Sequence, residues 1–218
     1  MFPLGSVSRS ITSFPFVTIL VILLNAGVFY LELTQGDSFV GRWSAVPADI
    51  VHGRHIETIV TSMFLHGGWM HIIGNMVFFW AFAPAIEEGM GLVRFFVFYL
   101  MGGVVAMAAQ MFADPGSTVP ALGASGAVAA VMGAFLVTYP RDQIRTLVLA
   151  PAFRIVAIPA VVLIGLWIIT QVIAVTTEIP KEEGGGVAYF AHIGGAVFGA
   201  VTGRLFRRQP ISNALEVG

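Results

Sequence analysis

The sequence predicts an all-α, polytopic membrane protein with six transmembrane helices. The first observation is the composition: 57% of the 218 residues are hydrophobic and only 11% are charged, whereas about 25% of residues are charged in a soluble domain. The second is that six stretches approach the roughly 20 apolar residues that a bilayer-spanning helix needs. Because lipid offers backbone amides and carbonyls no partner, each stretch must pair them within a helix.

The predicted spans follow one another through short connections. They cover residues 14–33, 66–86, 93–112, 123–139, 155–176 and 187–206. The first span is too long, and begins too late, to be a signal peptide. The longest connection is Thr34–Leu65 and no soluble domain is appended, so we expect residues 1–218 to form a single membrane domain.

Basic residues set the predicted orientation. Eight of the eleven lysines and arginines fall on one side of the spans. They are Arg9, Arg94, Arg141, Arg145, Arg154, Arg204, Arg207 and Arg208. We therefore expect both termini in the cytoplasm, with Glu87 and Glu88 solvated at that boundary, and this compact form suits a bacterial inner membrane. The net charge of −1 indicates no nucleic-acid partner.

Polar side chains in three different spans fall at one predicted depth. Ser125, His192 and His71 each precede the cytoplasmic end of their span by 14 or 15 residues. At 1.5 Å per residue this is about 21–23 Å, which places all three roughly 8 Å below the outer surface of a hydrocarbon core about 30 Å thick. Polar groups inside a membrane are costly and mark functional sites, so the shared depth indicates a site.

Small residues share helix faces with Ser125 and His192. They are Ala129 and Gly133 in the fourth span, and Gly195 and Gly199 in the sixth. Faces of small residues let membrane helices approach closely, so we expect these two spans to pack together and make the hydroxyl and the imidazole neighbours. His71 and Asn75 lie four residues apart, on one face of the second span.

This arrangement predicts nucleophilic catalysis by Ser125. A serine hydroxyl needs a base to take its proton, and histidine, here His192, is the usual one. Donors for a developing oxyanion come from Asn75, His71 and the backbone N–H of Ser125 at the start of its helix. The residues that permit a tight, approachable turn around the hydroxyl are Gly123 and Gly126. No carboxylate lies at this depth, so we expect a dyad whose imidazole is oriented by packing and neutral hydrogen bonds.

Three segments resemble the rhomboid intramembrane serine proteases: "HGGWMHIIGN" at His66–Asn75, "GASG" at Gly123–Gly126 and "AHIGGAVFG" at Ala191–Gly199. GxSG alone is a weak signal, but the three segments in this order are specific. The resemblance implies Ser125 as nucleophile, His192 as base, and His71, Asn75 and the Ser125 N–H as the oxyanion hole. It also implies that His66 is a structural or water-organising residue. Single-span membrane proteins would be cut near their outer ends, with the 177–186 loop acting as a cap.

The sequence departs from many members of that family at two places. A Trp-Arg pair in the first connection is replaced by Glu57 and Thr58, so we expect this connection to be anchored differently. An aromatic residue four positions after the serine is replaced by Ala129, so we expect Tyr189 or Phe190 to hold the imidazole ring.

Other functions are weaker interpretations of the same residues. His66 and His71 are five apart, which splays them on a helix, and no HExxH motif is present, so we expect no metal and no other cofactor. A non-catalytic relative that binds membrane proteins stays the alternative function, although such relatives lose the serine or the histidine. A small transporter is disfavoured because no span is broken symmetrically in two halves. The oligomeric state is left open.

Overall fold

The computed structural model describes residues 1–7, 11–149, 153–176 and 188–207. These residues are mostly helical, as the sequence predicts. The helices are α1 (Phe16–Gln35), α2 (Asp37–Trp43), α3 (Pro47–Val51), α4 (Thr58–Thr61), α5 (Trp69–Met90), α6 (Leu92–Ala113), α7 (Ser125–Thr138), α8 (Ala160–Thr176) and α9 (Tyr189–Thr202). The strands are β1 (Phe2–Ser6), β2 (Gln143–Val148) and β3 (Arg154–Pro159).

The six predicted spans correspond to α1, α5, α6, α7, α8 and α9. Of these, α1, α5 and α6 have 20, 22 and 22 residues and are apolar enough to cross a membrane. Helices α7, α8 and α9 are apolar but shorter, with 14, 17 and 14 residues. A 14-residue helix is about 21 Å long, which is less than a hydrocarbon core of about 30 Å. Length therefore supports three spans, and the count of six stays a prediction.

A three-stranded antiparallel sheet, in the order β1-β2-β3, corrects the all-α prediction. The sequence predicts residues 155–176 as one span, but residues 155–159 belong to β3 and pair with β2, and the helix begins only at Ala160. A short apolar run fits a strand or a buried helix equally well. Here β-branched residues and Pro159 favour the extended backbone.

Helix α7 lies at the centre of the bundle. Every residue from Gly126 to Phe135 is buried, and helices α5, α6 and α9 pack around it. A helix that is apolar on all sides is one that other helices enclose. The first residue of α7, Ser125, is therefore carried on the most enclosed element of the fold.

Helices α7 and α9 pack with almost no side chain between them. A Cβ atom on Gly199 would overlap the carbonyl oxygen of Ala130, and one on Gly133 would overlap that of Ala196. Such contacts are open only to glycine. The two backbones are consequently close along the whole length of the pair.

The connection between α1 and α5 is fastened to the loop that precedes α7. Ala45 and Ala121 exchange two backbone hydrogen bonds of 3.0 and 2.7 Å, and the N–H of Ala48 donates to the carbonyl of Ser117 at 3.0 Å. Thr58 is buried, and its hydroxyl donates to a carbonyl three residues earlier at 2.6 Å. Backbone pairing thus anchors this connection, which lacks the Trp-Arg pair.

Glu87 binds the start of α1 and is buried, which corrects the expectation that it is solvated, whereas Glu88 stays partly exposed. Glu87 is 2% exposed, and its carboxylate accepts the backbone N–H groups of Val17 and Thr18 at 2.8 Å each and the Thr18 hydroxyl at 2.6 Å. Glu88 accepts the N–H and hydroxyl of Thr12 at 2.9 and 2.7 Å. The first N–H groups of a helix have no intrahelical acceptor, and Glu87 supplies one, whereas Glu88 binds the segment that leads into α1.

Candidate active site

Ser125 stands at a sharp turn and is the first residue of α7. Two residues earlier, Gly123 has a φ of +123°, a conformation that favours glycine. The N–H of Gly123 donates to the carbonyl of Ser62 at 2.8 Å, which fixes the turn to the preceding connection. The first N–H groups of α7 have no intrahelical acceptor and lie at the positive end of the helix dipole. The hydroxyl is therefore beside donors suited to a negative charge.

Ser125 lies within hydrogen-bonding distance of His192. The Oγ atom of the serine is 2.8 Å from Nε2 of the histidine, a normal hydrogen-bond length. His192 lies in the first turn of α9 and is 8% exposed. The two side chains, 67 positions apart in the sequence, thus have the geometry in which an imidazole can take a hydroxyl proton.

Glycine and alanine residues allow α7 to pack closely against α9 and α6 beside Ser125. A Cβ atom on Gly195 would overlap the carbonyl oxygen of Gly126 and would lie 3.3 Å from the Cβ of Ala129. A Cβ atom on Gly126 would lie 2.5 Å from the Cβ of Ala106, on α6. An aromatic side chain at position 129 would need the space that Gly195 occupies. Ala129 is therefore part of the close packing between α7 and α9.

Two aromatic rings flank the imidazole of His192. The ring centroid of Trp167 is 5.5 Å from that of the histidine, at an interplanar angle of 40°. Tyr189 is 6.4 Å away and almost perpendicular, at 88°. Phe190, the other ring considered from the sequence, is 42% exposed. Trp167 was not predicted to lie near the site, yet its ring is nearer to the imidazole of His192 than that of Tyr189.

Gln171, on α8, contacts the other nitrogen of the imidazole. Its Oε1 atom is 2.6 Å from Nδ1 of His192. A polar amide in an apolar helix is a signal in the sequence, since such groups are costly in a membrane. No spacing rule links it to His192, because α8 and α9 are separate helices and the residues are 21 positions apart.

His71 and Asn75 converge on the turn before Ser125. A Cβ atom on Gly123 would lie 2.7 Å from Nε2 of His71 and 3.7 Å from Nδ2 of Asn75. The N–H of Gly67 donates to Nδ1 of His71 at 3.3 Å, so a neutral ring carries its proton on Nε2. The Nδ2 of Asn75 is buried and has no acceptor among the described residues. Two N–H donors therefore lie together beside Gly123.

His66 is buried behind His71. The two ring centroids are 5.0 Å apart, at 71°, which corrects the expectation that the two histidines are splayed: α5 begins only at Trp69, so helical spacing does not separate them. The backbone N–H of His66 donates to both carboxylate oxygens of Glu32, at 2.9 and 3.1 Å. Both ring nitrogens of His66 are buried, and neither makes a hydrogen bond of normal geometry within the described ranges. His66 therefore packs against a donor of the site and links the segment before α5 to the last turns of α1.

Some predicted features fall outside the described residues. They include the 177–186 cap, Val187 at the start of the sixth predicted span, Arg9 and Arg208. In the part of the chain that the structure describes, no group of three or more His, Cys, Asp or Glu side chains could hold a metal ion.

Comparison with known proteins identifies relatives for most of the chain. The family model described as Rhomboid domain matches residues 53–209, a range that contains all three sequence segments noted above. The chain is 28% identical over 205 residues to "RHOMBOID-like protein 12, mitochondrial" of Arabidopsis thaliana, covering 86% of this chain and 57% of the relative.

Two relatives with the word protease in their names are bacterial. The chain is 28% identical over 124 residues to "Rhomboid protease GlpG" of Salmonella paratyphi A, covering 56% of this chain and 44% of the relative. It is 32% identical over 78 residues to "Putative rhomboid protease YdcA" of Bacillus subtilis, covering 36% and 39%. The chain thus spans about half the length, or less, of these curated relatives.

Proposed function

Because the chain belongs to the rhomboid family, we propose that it is an intramembrane serine endopeptidase in which Ser125 is the nucleophile and His192 the base. The observation that carries the proposal is the 2.8 Å separation of Ser125 Oγ and His192 Nε2 on two tightly packed helices. A half-buried serine that only filled space would need no imidazole at that distance, and polar side chains inside a membrane are costly and mark functional sites.

The first half of the reaction is acylation. As Ser125 Oγ bonds to the carbonyl carbon of the substrate peptide, its proton passes to His192 Nε2, and the carbonyl oxygen becomes an oxyanion. The imidazolium then gives that proton to the leaving amine as the peptide C–N bond breaks. The amine product departs, and an ester joins the substrate acyl group to Ser125.

The oxyanion is stabilised by donors already in place. His71 Nε2 and Asn75 Nδ2 lie beside Gly123, and the backbone N–H of Ser125 begins α7. Fixed donors of this kind are each worth on the order of 10²–10³ in kcat. The unsatisfied amide of Asn75 is the group that such an oxygen would pair with.

Deacylation repeats the proton transfers with water as the nucleophile. His192 takes a proton from water, the hydroxide attacks the ester, and the proton returns to Ser125 Oγ as the acid product leaves. The cycle therefore needs no metal and no cofactor, and the two side chains return to their starting states.

The short length of α7 supports a substrate in the membrane. If the basic side of the six predicted spans faces the cytoplasm, α7 rises about 21 Å from that side and ends within a core about 30 Å thick. Ser125 would then lie below the outer surface, where it could meet the end of a transmembrane segment. We accordingly propose single-span membrane proteins as substrates, with both termini of this chain in the cytoplasm.

The chain is an integral membrane protein, and the identity of its membrane is a separate matter. A bacterial inner membrane, which the sequence analysis favours, gains no support from the relatives, because several of those matched are mitochondrial in name.

Cleavage in liposomes tests the proposal. Wild-type protein is reconstituted with a panel of tagged single-span substrates, and Ser125→Ala is expected to reduce cleavage on the order of 10⁴-fold or more, as when other serine nucleophiles are removed. Ser38→Ala, which changes a serine of α2 far along the chain from the site, is the matched control and should cleave normally. Equal cleavage by wild type and Ser125→Ala would refute the assignment.

A fluorophosphonate probe separates this proposal from the non-catalytic alternative. An activated serine reacts with the probe, so labelling that requires both Ser125 and His192 supports an enzyme. A folded protein that binds single-span proteins but takes no label would instead be a binding or quality-control factor.

A further inference from the structure

We infer that Gln171 is a positioning residue that holds His192 in the tautomer and the ring orientation needed to accept the Ser125 proton. The inference rests on the proposed function and adds a third group, on a third helix, to the proposed dyad. It is carried by the contact of 2.6 Å between Gln171 Oε1 and His192 Nδ1.

The orientation of the Gln171 amide is fixed by its other contacts. Its Nε2 atom donates to the carbonyl of Trp167 at 3.3 Å and to the hydroxyl oxygen of Thr170 at 3.0 Å. The Thr170 hydroxyl donates its own proton to the Trp167 carbonyl at 2.6 Å, which leaves its oxygen free to accept. Both acceptors require the NH₂ end of the amide, so the oxygen must face the imidazole.

The orientation of the amide then fixes the tautomer of the imidazole. An amide oxygen can only accept, so His192 must carry a proton on Nδ1 to make this hydrogen bond. A neutral ring protonated on Nδ1 has its lone pair on Nε2, the atom 2.8 Å from Ser125 Oγ. Without Gln171, the ring could protonate Nε2 instead, and the lone pair would face away from the serine.

Burial explains why a neutral amide suits this position. Gln171 and His192 are 9% and 8% exposed, and α8 is an apolar helix. An ionised carboxylate there would lose its hydration, which is costly unless other groups replace the water. The amide supplies the same acceptor without a charge. The hydrogen-bonded series from Gln171 through His192 to Ser125 joins α8, α9 and α7.

Three single substitutions, each made in the otherwise wild-type protein, test whether Gln171 positions His192. Gln171→Met keeps the length of the side chain and removes the acceptor. Gln171→Glu keeps an acceptor, because a carboxyl oxygen accepts in either protonation state. Leu163→Met, at another buried position of α8, is the matched control for packing. Thermal unfolding in detergent checks that each variant is folded.

The first measurement needs no catalysis. In histidine-selective ¹⁵N spectra, with the His192 signals assigned by comparison with His192→Asn, the wild type is expected to show only the Nδ1–H tautomer. Gln171→Met is expected to populate the Nε2–H tautomer, and Gln171→Glu and Leu163→Met are expected to match the wild type. A His192 that stays wholly Nδ1–H in folded Gln171→Met overturns the inference.

The second measurement is the rate of fluorophosphonate labelling and the kinetics of cleavage. Loss of one neutral hydrogen bond predicts labelling and kcat about 2- to 13-fold lower in Gln171→Met, with KM unchanged and with Gln171→Glu restored toward wild type. An equal loss in Leu163→Met would assign the effect to packing and overturn the inference. If the wild type takes no label while Gln171→Met changes the tautomer, the proposed function fails and the positioning of His192 stands.

Discussion

Replacing Gly195 by alanine should increase the distance between Ser125 and His192 without changing either residue. The added Cβ would overlap the carbonyl oxygen of Gly126, the residue after Ser125. Because that oxygen is part of the α7 backbone, no side chain can rotate to relieve the overlap, and α9 must move away from α7. Restoring an ordinary carbon–oxygen contact requires a shift of about 1 Å, and a misplacement of that size costs on the order of 10²-fold in rate.

The measurements are kcat for cleavage in liposomes and the thermal midpoint in detergent. We expect Gly195→Ala to lower kcat about 100-fold and to destabilise the fold by about 1–3 kcal/mol, the usual cost of overpacking. Gly27→Ala is the matched control, because a Cβ there meets nothing within 4 Å and alanine favours a helix by up to about 1 kcal/mol. A kcat for Gly195→Ala within twofold of wild type would show that the close packing does not set the Ser–His geometry.

Two further predictions concern groups at opposite ends of α5. Asn75→Ala removes a donor from the proposed oxyanion hole, so kcat should fall on the order of 10²-fold with little change in KM; a change confined to KM would instead assign Asn75 to substrate binding. Glu87→Ala leaves the N–H groups of Val17 and Thr18 without their buried acceptor, so the fold should lose about 1–3 kcal/mol, measured as a lower thermal midpoint. If the midpoint does not change, water or a neighbouring group replaces the carboxylate.

Much of the helical arrangement was predictable because membrane helices must be long, apolar and internally hydrogen-bonded. Hydropathy places the six apolar helices to within a few residues, except at the start of α8. There the apolar run 155–159 belongs to a strand, because its backbone groups form hydrogen bonds with β2 and not within a helix. Strand β1 pairs with β2 from the start of the chain and so has no local signal, while the short apolar run of β3 fits a helix equally well; for these two reasons the sheet was missed.

The candidate site was partly predictable for a related reason. Ser125, His192, His71 and Asn75 are individually unusual in a membrane, and helical spacing gives each a depth and a face. Gln171 is unusual as well, but its partner lies on another helix, and only the packing of α8 against α9 brings the two together. The rotation of one helix relative to its neighbour depends on how their side chains pack. Counting residues along a span gives the depth of a side chain but not this rotation.

Helix α1 lies wholly outside the matched range of residues 53–209, yet it is bonded to that range near both ends. Glu87 accepts the N–H groups of its first turn, and Glu32 near its other end holds the segment that leads into His71. If residues 53–209 were produced alone, Glu87 would lack the helix N–H groups that it accepts, and the N–H of His66 would lack its acceptor Glu32. We therefore expect a unit that folds and retains an ordered site to include α1 as well as the range that the family model matches.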